Sequence, residues 1–526
     1  RAGMISAMAN AARYILLIGI LYINFIKICE AARILAVYPT PSISHHKFFW
    51  PFTEELAKRG HEMVVITTDL AYPKGEAPPN ITEIDLHDIS YDIWQRDWVT
   101  ELSGRTNDQY YILRGLITTM AKVVIAQMKS DEVQAILKDE RGFDLLLIED
   151  WTRTALGFSH VFKVPTILVS SFGSLFGHYG DLGVQMHPLL YPILSSQRHY
   201  GLSLWEKIYE FYRVLCVQYF YITYEEEENK MLRQVLGDDI PTLSELSKNV
   251  DLLLLNHHPV WDFNRPVPAN VIYVGGKRPI PRKELPKDIK SFLDQSVNGT
   301  IYMSLGSNVK PSILSKDRIR MMMKVFSELP YDVMFKYDQD ELPGKPSNVR
   351  ISKWFPQPDI LRHPKVKAFI TQGGLQSTEE AIETGVPVIG MPILGDQWFN
   401  CAKYNHFKIG FGLEFESPAE IRPTVSEINP YRRNIKNLRE LLYDQPQSPM
   451  DKAVWWTEHV LRHSHIGKPY RSPRAEITWV EYLELKVVAV LLTIFAITSI
   501  IVAKIAILLF KFLSKSISTS VKNRDK

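Results

Sequence analysis

Short apolar runs rich in β-branched residues recur along most of the chain, and between them the apolar positions fall back to helical spacing. Residues 34–37 give way to a helical pattern at about 46–58 and then to a second run at 62–67. Residues 144–148 and 165–169 repeat the rhythm with a helix between them. A second series starts at 300–304 and continues through 333–336, 368–371 and 387–390. Strands that alternate with helices return by crossovers and run parallel, so the pattern predicts two α/β domains with doubly wound sheets. Between the two series lies a proline-dotted stretch, Pro259-Val-Trp-Asp-Phe-Asn-Arg-Pro-Val-Pro268, suited to a linker. Two such domains facing each other would place a ligand cleft between the carboxyl ends of their strands.

Two apolar segments fall outside this rhythm. Arg13 precedes an apolar run at 14–28 that ends near Ala31 and Ala32, the plan of a secretory signal peptide over residues 1–32. At the other end, residues 487–503 carry no charge and 505–510 extend them past Lys504, which predicts a transmembrane helix at 486–512. Lys511, Lys515, Lys522, Arg524 and Lys526 follow it. The excess of positive charge on that flank puts a tail at 513–526 in the cytosol and the body in the lumen, a single-pass type I arrangement with the bilayer as partner. The sequons at Asn80 and Asn298 fit a luminal body. Lys522, Arg524 and Lys526 resemble a dibasic retrieval signal or are equally a solvated basic tail, and the endoplasmic reticulum membrane is the expected location.

Charge sharpens this picture. The net +3 is divided into +2 over residues 1–32, +6 over 486–526 and the remaining −5 in the body. A mildly acidic body does not suit nucleic acid. Apolar residues at 46% and charged residues at 23% are those of packed domains rather than of a disordered chain. The three cysteines, Cys29, Cys216 and Cys401, are too few for a disulfide framework and have no metal-ligand spacing. The acidic run at 225–228 reads most simply as a solvated helix face.

The segment with the most chemistry is Phe369-Ile-Thr-Gln-Gly-Gly-Leu-Gln-Ser-Thr-Glu-Glu380, which continues through Gly385-Val-Pro387 to Met391-Pro-Ile-Leu-Gly-Asp396-Gln397. A strand ending at Thr371 would turn on two glycines into a helix starting at about Ser377. The free N–H groups of a helix start can hold a diphosphate, and Glu380 one turn on could take ribose hydroxyls. The bland alternative is a capping box, Ser377-x-x-Glu380, which needs no ligand.

This segment resembles the signature of the UDP-glycosyltransferase family (glycosyltransferase family 1), above all its membrane-bound insect members. Ser304-Leu-Gly-Ser307, Trp354-Phe-Pro-Gln357, Trp261-Asp-Phe263 and Val274-Gly-Gly276 extend the likeness across nearly the whole chain. The resemblance implies a GT-B fold of two facing Rossmann-like domains: an acceptor domain at 33–258, a linker at 259–275, and a UDP-sugar domain with a return helix at 276–485. It implies that Trp354 stacks on uracil and Gln357 bonds it, and that Glu380 holds ribose. Ser307, Gln372 and Ser377, with Gly374 and Gln376 beside them, would meet phosphate, and Asp396 and Gln397 the sugar hydroxyls. Vertebrate members usually carry His where Gln372 stands and Asn where Gln376 stands, so Gln372 brings no charge to the leaving group.

The resemblance also makes His45, in Ser44-His45 after the first strand, the base that takes a proton from an acceptor hydroxyl. His46 is expected to be exposed. The imidazole needs a carboxylate to orient it, and the family spacing to Pro165 selects Glu149, with Asp150 as the other candidate. Direct displacement on an α-linked UDP-sugar would give a β-glycoside through an oxocarbenium-like transition state. His258 stands where glucuronate-using members tend to have Arg, so UDP-glucose is the expected donor. The acceptor class implied is small and lipophilic, with no metal or cofactor, and a homo-oligomer is open. Competing readings are glucuronosyl transfer, a catalytically silent nucleotide-sugar-binding subunit, and a metal-dependent site at Asp338-Gln-Asp340, which is more simply a solvated turn.

Overall fold

The computed structural model describes residues 31–99, 109–174, 176–276, 281–307, 309–413 and 429–522. The expected signal peptide, apart from its last two residues, and residues 523–526 of the tail lie outside these. The first series of runs forms seven strands, β1 Arg33–Tyr38, β2 Glu62–Thr67, β3 Ile81–Asp85, β4 Leu145–Glu149, β5 Thr166–Ser170, β6 Val250–Leu255 and β7 Val271–Tyr273, in the order β3-β2-β1-β4-β5-β6-β7. The second forms six, β8 Thr300–Ser304, β9 Asp332–Lys336, β10 Val349–Ser352, β11 Val366–Thr371, β12 Val388–Gly390 and β13 Gly410–Gly412, in the order β10-β9-β8-β11-β12-β13. All these pairings are parallel. All five residues of β4 and of β8 are buried, because helices cover both faces of such a sheet.

The helices used below are α1 Ile43–Lys58, α2 Gln109–Lys129, α3 Leu204–Leu236, α4 Gln357–Leu361, α5 Leu375–Thr384, α6 Gln397–His406, α7 Pro449–His463 and α8 Leu485–Lys522. On α1, Phe48, Phe49, Phe52 and Leu56 form one buried stripe against the first sheet, with Phe49 stacked 4.1 Å from Tyr38. Phe52→Ala would leave a cavity there and cost about 3–5 kcal/mol. Helix α7 joins the same core through Ala453 and Val454, so the chain of the second domain returns to clasp the first. Trp261 of the inter-domain stretch donates its Nε1–H to Asn400 Oδ1 at 2.8 Å, tying that stretch to α6.

Two expectations need correction. The linker at 259–275 is not linker throughout: Val271-Ile-Tyr273 pairs with β6 as the edge strand of the first sheet. A β-branched and aromatic triplet beside an open strand edge satisfies its backbone best by joining the ladder. The acidic run at 225–228 is not wholly solvated, because Glu228 turns inward to Arg153 Nε at 2.6 Å while Glu226 and Glu227 stay exposed. Helix α8 contains the span expected at 486–512 and continues to Lys522, since no Gly or Pro interrupts 485–522.

The described residues up to Arg471 form one compact unit and those from Ser472 onward a second. In the second, Leu485–Ser514 is a 30-residue stretch whose most apolar window has mean hydropathy 2.6 and no buried residue, long and apolar enough to cross a membrane. Tyr110–Lys129 of α2 passes the same length and composition test, but Val124, Ile125 and Met128 pack in the first domain's core. Cys216 and Cys401 are both free thiols.

Candidate active site

In an open α/β sheet, the crevice that admits a ligand lies where neighbouring strands send their chains in opposite directions. In the first sheet β1 and β4 are such neighbours. His45 sits in the first turn of α1 after β1, and Glu149 is the last residue of β4. Their side chains meet at 2.6 Å between His45 Nδ1 and Glu149 Oε1. Glu149 is fully buried, and its other oxygen accepts the Thr40 N–H at 3.1 Å. The His45 ring is boxed edge-on by Phe172 at 5.0 Å and Trp151 at 6.5 Å. With Nδ1–H given to the carboxylate, Nε2 is left as a lone-pair acceptor.

Asp150 faces the other way, as alternation along a strand requires, and pairs with His178 at 2.6 Å. His46 is not exposed as expected. It is fully buried, with Nδ1 at 3.0 Å from the Ser42 carbonyl, and burial lowers its pKa.

In the second sheet the equivalent neighbours are β8 and β11. The Ser304–Ser307 loop follows β8, and Gln372-Gly-Gly374 follows β11. Helix α5 starts at Leu375 with Gly374 as its N-cap, and no side chain caps it. The expected start at about Ser377, and with it the capping box, is therefore wrong by two residues. Gly373, at φ 90°, makes the turn, and a Cβ there would fall 2.4 Å from Cys401 Sγ. Gly306, at φ 78°, lies against Gln372, whose Nε2 would be 2.3 Å from an added Cβ. The loop after β8 thus meets the turn after β11 at Gly306 and Gln372, while Gly373 packs against α6, and both glycines hold a positive φ that suits glycine.

Gln357 organises the floor. Its Oε1 accepts the Tyr302 hydroxyl at 3.2 Å, and its Nε2 donates to Glu380 at 2.8 Å and to Ser377 at 3.1 Å. Trp354 is 56% exposed, with Lys336 Nζ 4.5 Å over its ring. An aromatic face that open is not an ordinary core residue. Ser307 lies in the exposed turn after β8. Gln376 does not point only to its own helix start: it donates to the Ser171 carbonyl of the first domain at 3.3 Å.

Asp396 stands just before α6 without capping it through its side chain, and accepts from Asn400 Nδ2 at 2.7 Å. Burial pushes its carboxyl up to about 6, against the hydrogen bond from Asn400 and the nearby charge of His45. His45 of the first domain is thus among the groups whose charge acts on Asp396 of the second. Gln397 spends its Oε1 on the Ile393 and Leu394 N–H groups, both at 2.7 Å, so any contact with a sugar falls to its amide nitrogen. His258 accepts the Val260 N–H through Nδ1 at 3.2 Å, and burial lowers its pKa, so it is not a permanent cation.

Beside the dyad a cavity of about 630 Å³, counted with its open mouth, is lined by Ile112, Leu116, Trp151, Ile193, Leu194 and Gly395. It is overwhelmingly apolar and adjoins Asp396 through Gly395. Asp338 is held by Ser312 and Asp340 by Lys353 at 2.7 Å, so the two carboxylates serve different partners. Among the described residues no group of three or more His, Cys, Asp or Glu side chains is placed to hold a metal ion.

Sequence reading passed over Trp151, Phe172 and Lys336. Trp151 follows directly on the two candidate carboxylates, which was the available signal, while Phe172 and Lys336 reach the site only through the fold.

Residues 34–519 match the family "UDP-glucoronosyl and UDP-glucosyl transferase", and the chain belongs to that family. It is 32% identical over 504 residues to an ecdysteroid UDP-glucosyltransferase of Spodoptera littoralis nuclear polyhedrosis virus, covering 91% of this chain and 98% of that one. It is 29% identical over 489 residues to UDP-glucosyltransferase 2 of Dactylopius coccus, covering 91% and 93%. Among solved structures, a UDP-glucosyltransferase from Polygonum tinctorium that glucosylates indoxyl superposes with a TM-score of 0.55 at 13% identity, covering 82% of this chain and 99% of that one, and carries the same fold. The fold is GT-B, and the protein is a UDP-glycosyltransferase.

Proposed function

We propose that the protein transfers glucose from UDP-glucose to a hydroxyl of a small lipophilic acceptor with inversion, giving a β-glycoside. The observation that carries this reading is the His45–Glu149 pair, 2.6 Å apart, with His45 packed against Trp151, which lines the apolar cavity. An acceptor seated in that cavity would present its O–H to His45 Nε2. As the oxygen bonds to the anomeric carbon, His45 takes the proton, Glu149 stabilises the imidazolium, and the bond from the anomeric carbon to the UDP oxygen breaks. Negative charge then develops on UDP, at the uncapped start of α5. Trp354 and Gln357 would hold uracil, Glu380 the ribose, Ser307, Gln372, Ser377 and the Gly374 cap the phosphates, and Asp396 and Gln397 the sugar.

No step calls for a metal ion, because the helix start and the cleft's hydrogen-bond donors meet the diphosphate. Relatives named UDP-glucosyltransferase and the uncharged His258 support glucose as the donor. The apolar α8 supports anchoring in a bilayer, with the body in the lumen of the endoplasmic reticulum. Purified protein supplied with UDP-glucose or UDP-glucuronate and a panel of phenols and sterols tests the reading. A β-glucoside product supports it. An α-linked product, a glucuronate preference, or no turnover on any acceptor contradicts it.

A further inference from the structure

A diphosphate brings two negative charges to the cleft, and Gln372 meets them with none. Positive charge enters from elsewhere. Lys336, the last residue of β9, donates to the Gly306 carbonyl at 2.9 Å, in the loop that adjoins Gln372. Burial pushes its ammonium down to about 8, and the neighbouring charge of Lys47 pushes the same way. Lys47 belongs to the other domain. It lies two residues past His45 on α1 and reaches across the cleft to Glu380 Oε1 at 3.8 Å.

Two lysines brought close enough to repel form a poor arrangement around empty space and a good one around a dianion. The Lys47–Glu380 contact is long, and the Lys47 side chain is 38% exposed, so it is a weak ion pair that Lys47 can leave. It has little distance to travel. Ser377 lies one helical turn before Glu380, about 5–6 Å away between Cβ atoms, and the same Gln357 amide touches both. A lysine ammonium is a compact point charge that binds phosphate without needing the fixed fork of arginine.

We infer that Lys47 is a donor-binding residue supplied by the acceptor domain: ribose hydroxyls displace it from Glu380, and it turns to the diphosphate opposite Lys336. Binding of the nucleotide then draws the first domain onto the second and brings His45, two residues away, over the sugar. This inference rests on the UDP-glucose reading above.

The test compares Lys47→Met and Lys47→Arg with wild type for affinity toward uridine, UMP and UDP, and for KM and kcat with UDP-glucose. Lys47→Met is expected to weaken UDP binding roughly tenfold, the scale of one charge-assisted hydrogen bond. Uridine should bind as before or more tightly, because Glu380 is released. KM for UDP-glucose should rise, and Lys47→Arg should recover most of the loss. Equal weakening of uridine and UDP would make Lys47 a support for Glu380 only, and unchanged UDP affinity would remove it from the site. Either result overturns the inference while leaving glucosyl transfer standing. A wild-type protein that binds no UDP overturns both.

Discussion

His45 and Glu149 are 104 residues apart in the chain and 2.6 Å apart in the cleft, while Asp150, the next residue, meets His178 at the same distance on the opposite face. Strand alternation alone separates these two pairs. His45 of the first pair packs against Trp151 of the cavity lining and the second pair is buried, so substitutions at the two adjacent carboxylates should fail in different ways.

Asp150→Asn is a stability experiment. Burial by itself would lower the His178 pKa, but the charge and hydrogen bond of Asp150 outweigh it and the value is raised. A histidine raised in the folded state contributes stability that is fully present below its unfolded value of about 6.5 and is lost as pH rises through the folded value. Removing the carboxylate should cost about 3–5 kcal/mol at pH 6, as for other broken buried pairs. Thermal unfolding of wild type and Asp150→Asn should show a gap that narrows above pH 6.5. A gap constant from pH 6 to 9 would mean that His178 is uncharged throughout.

Asp396 gives the site an acid limb. Burial holds its carboxyl up near 6, so the free protein takes up a proton there as pH falls through that value. The charged acceptor for sugar hydroxyls is then lost, and hydrogen bonds to a charged group are worth about 1.5–3 kcal/mol. Affinity for UDP-glucose, measured by calorimetry without acceptor, should drop roughly tenfold or more between pH 7 and pH 5. UDP-glucose is a diester with no titration of its own in that range, so the limb belongs to the protein. Asp396→Asn should bind more weakly at pH 7 and show no limb; a limb that persists in the variant would assign it elsewhere.

Activity should survive EDTA. Asp338 and Asp340 are engaged with Ser312 and Lys353 respectively, and the diphosphate is assigned to backbone and side-chain donors. Turnover abolished by the chelator and restored by manganese would overturn that assignment.

How much the sequence disclosed varies with how local the cause was. The parallel sheets were legible because β1, β4, β8 and β11 are apolar on both faces and need no partner information to be recognised. Strands β7 and β13 are only three residues long, Val271–Tyr273 and Gly410–Gly412, and exist because a neighbouring edge is available. The helix start was misplaced because Ser377 looked like a cap, whereas Gly374 supplies the extended residue and leaves the first N–H groups without a side-chain acceptor. His45 and Glu149 could be paired from the family resemblance. Burial of His46 could not be foreseen, since it depends on Asp69, 3.5 Å away from another loop. The reach of Lys47 to Glu380 depends on the two domains facing each other, which no local pattern encodes.

The role proposed for His45, oriented by Glu149, is that of the base in glucosyl transfer. Its most direct test is the rate of UDP release from UDP-glucose with a turned-over phenol, compared between wild type and His45→Ala at equal UDP occupancy. General-base catalysis is worth about 10²–10⁴-fold, so His45→Ala should lose that much kcat while its affinity for UDP is unchanged. A His45→Ala protein that turns over within a few-fold of wild type would show that His45 is not the base.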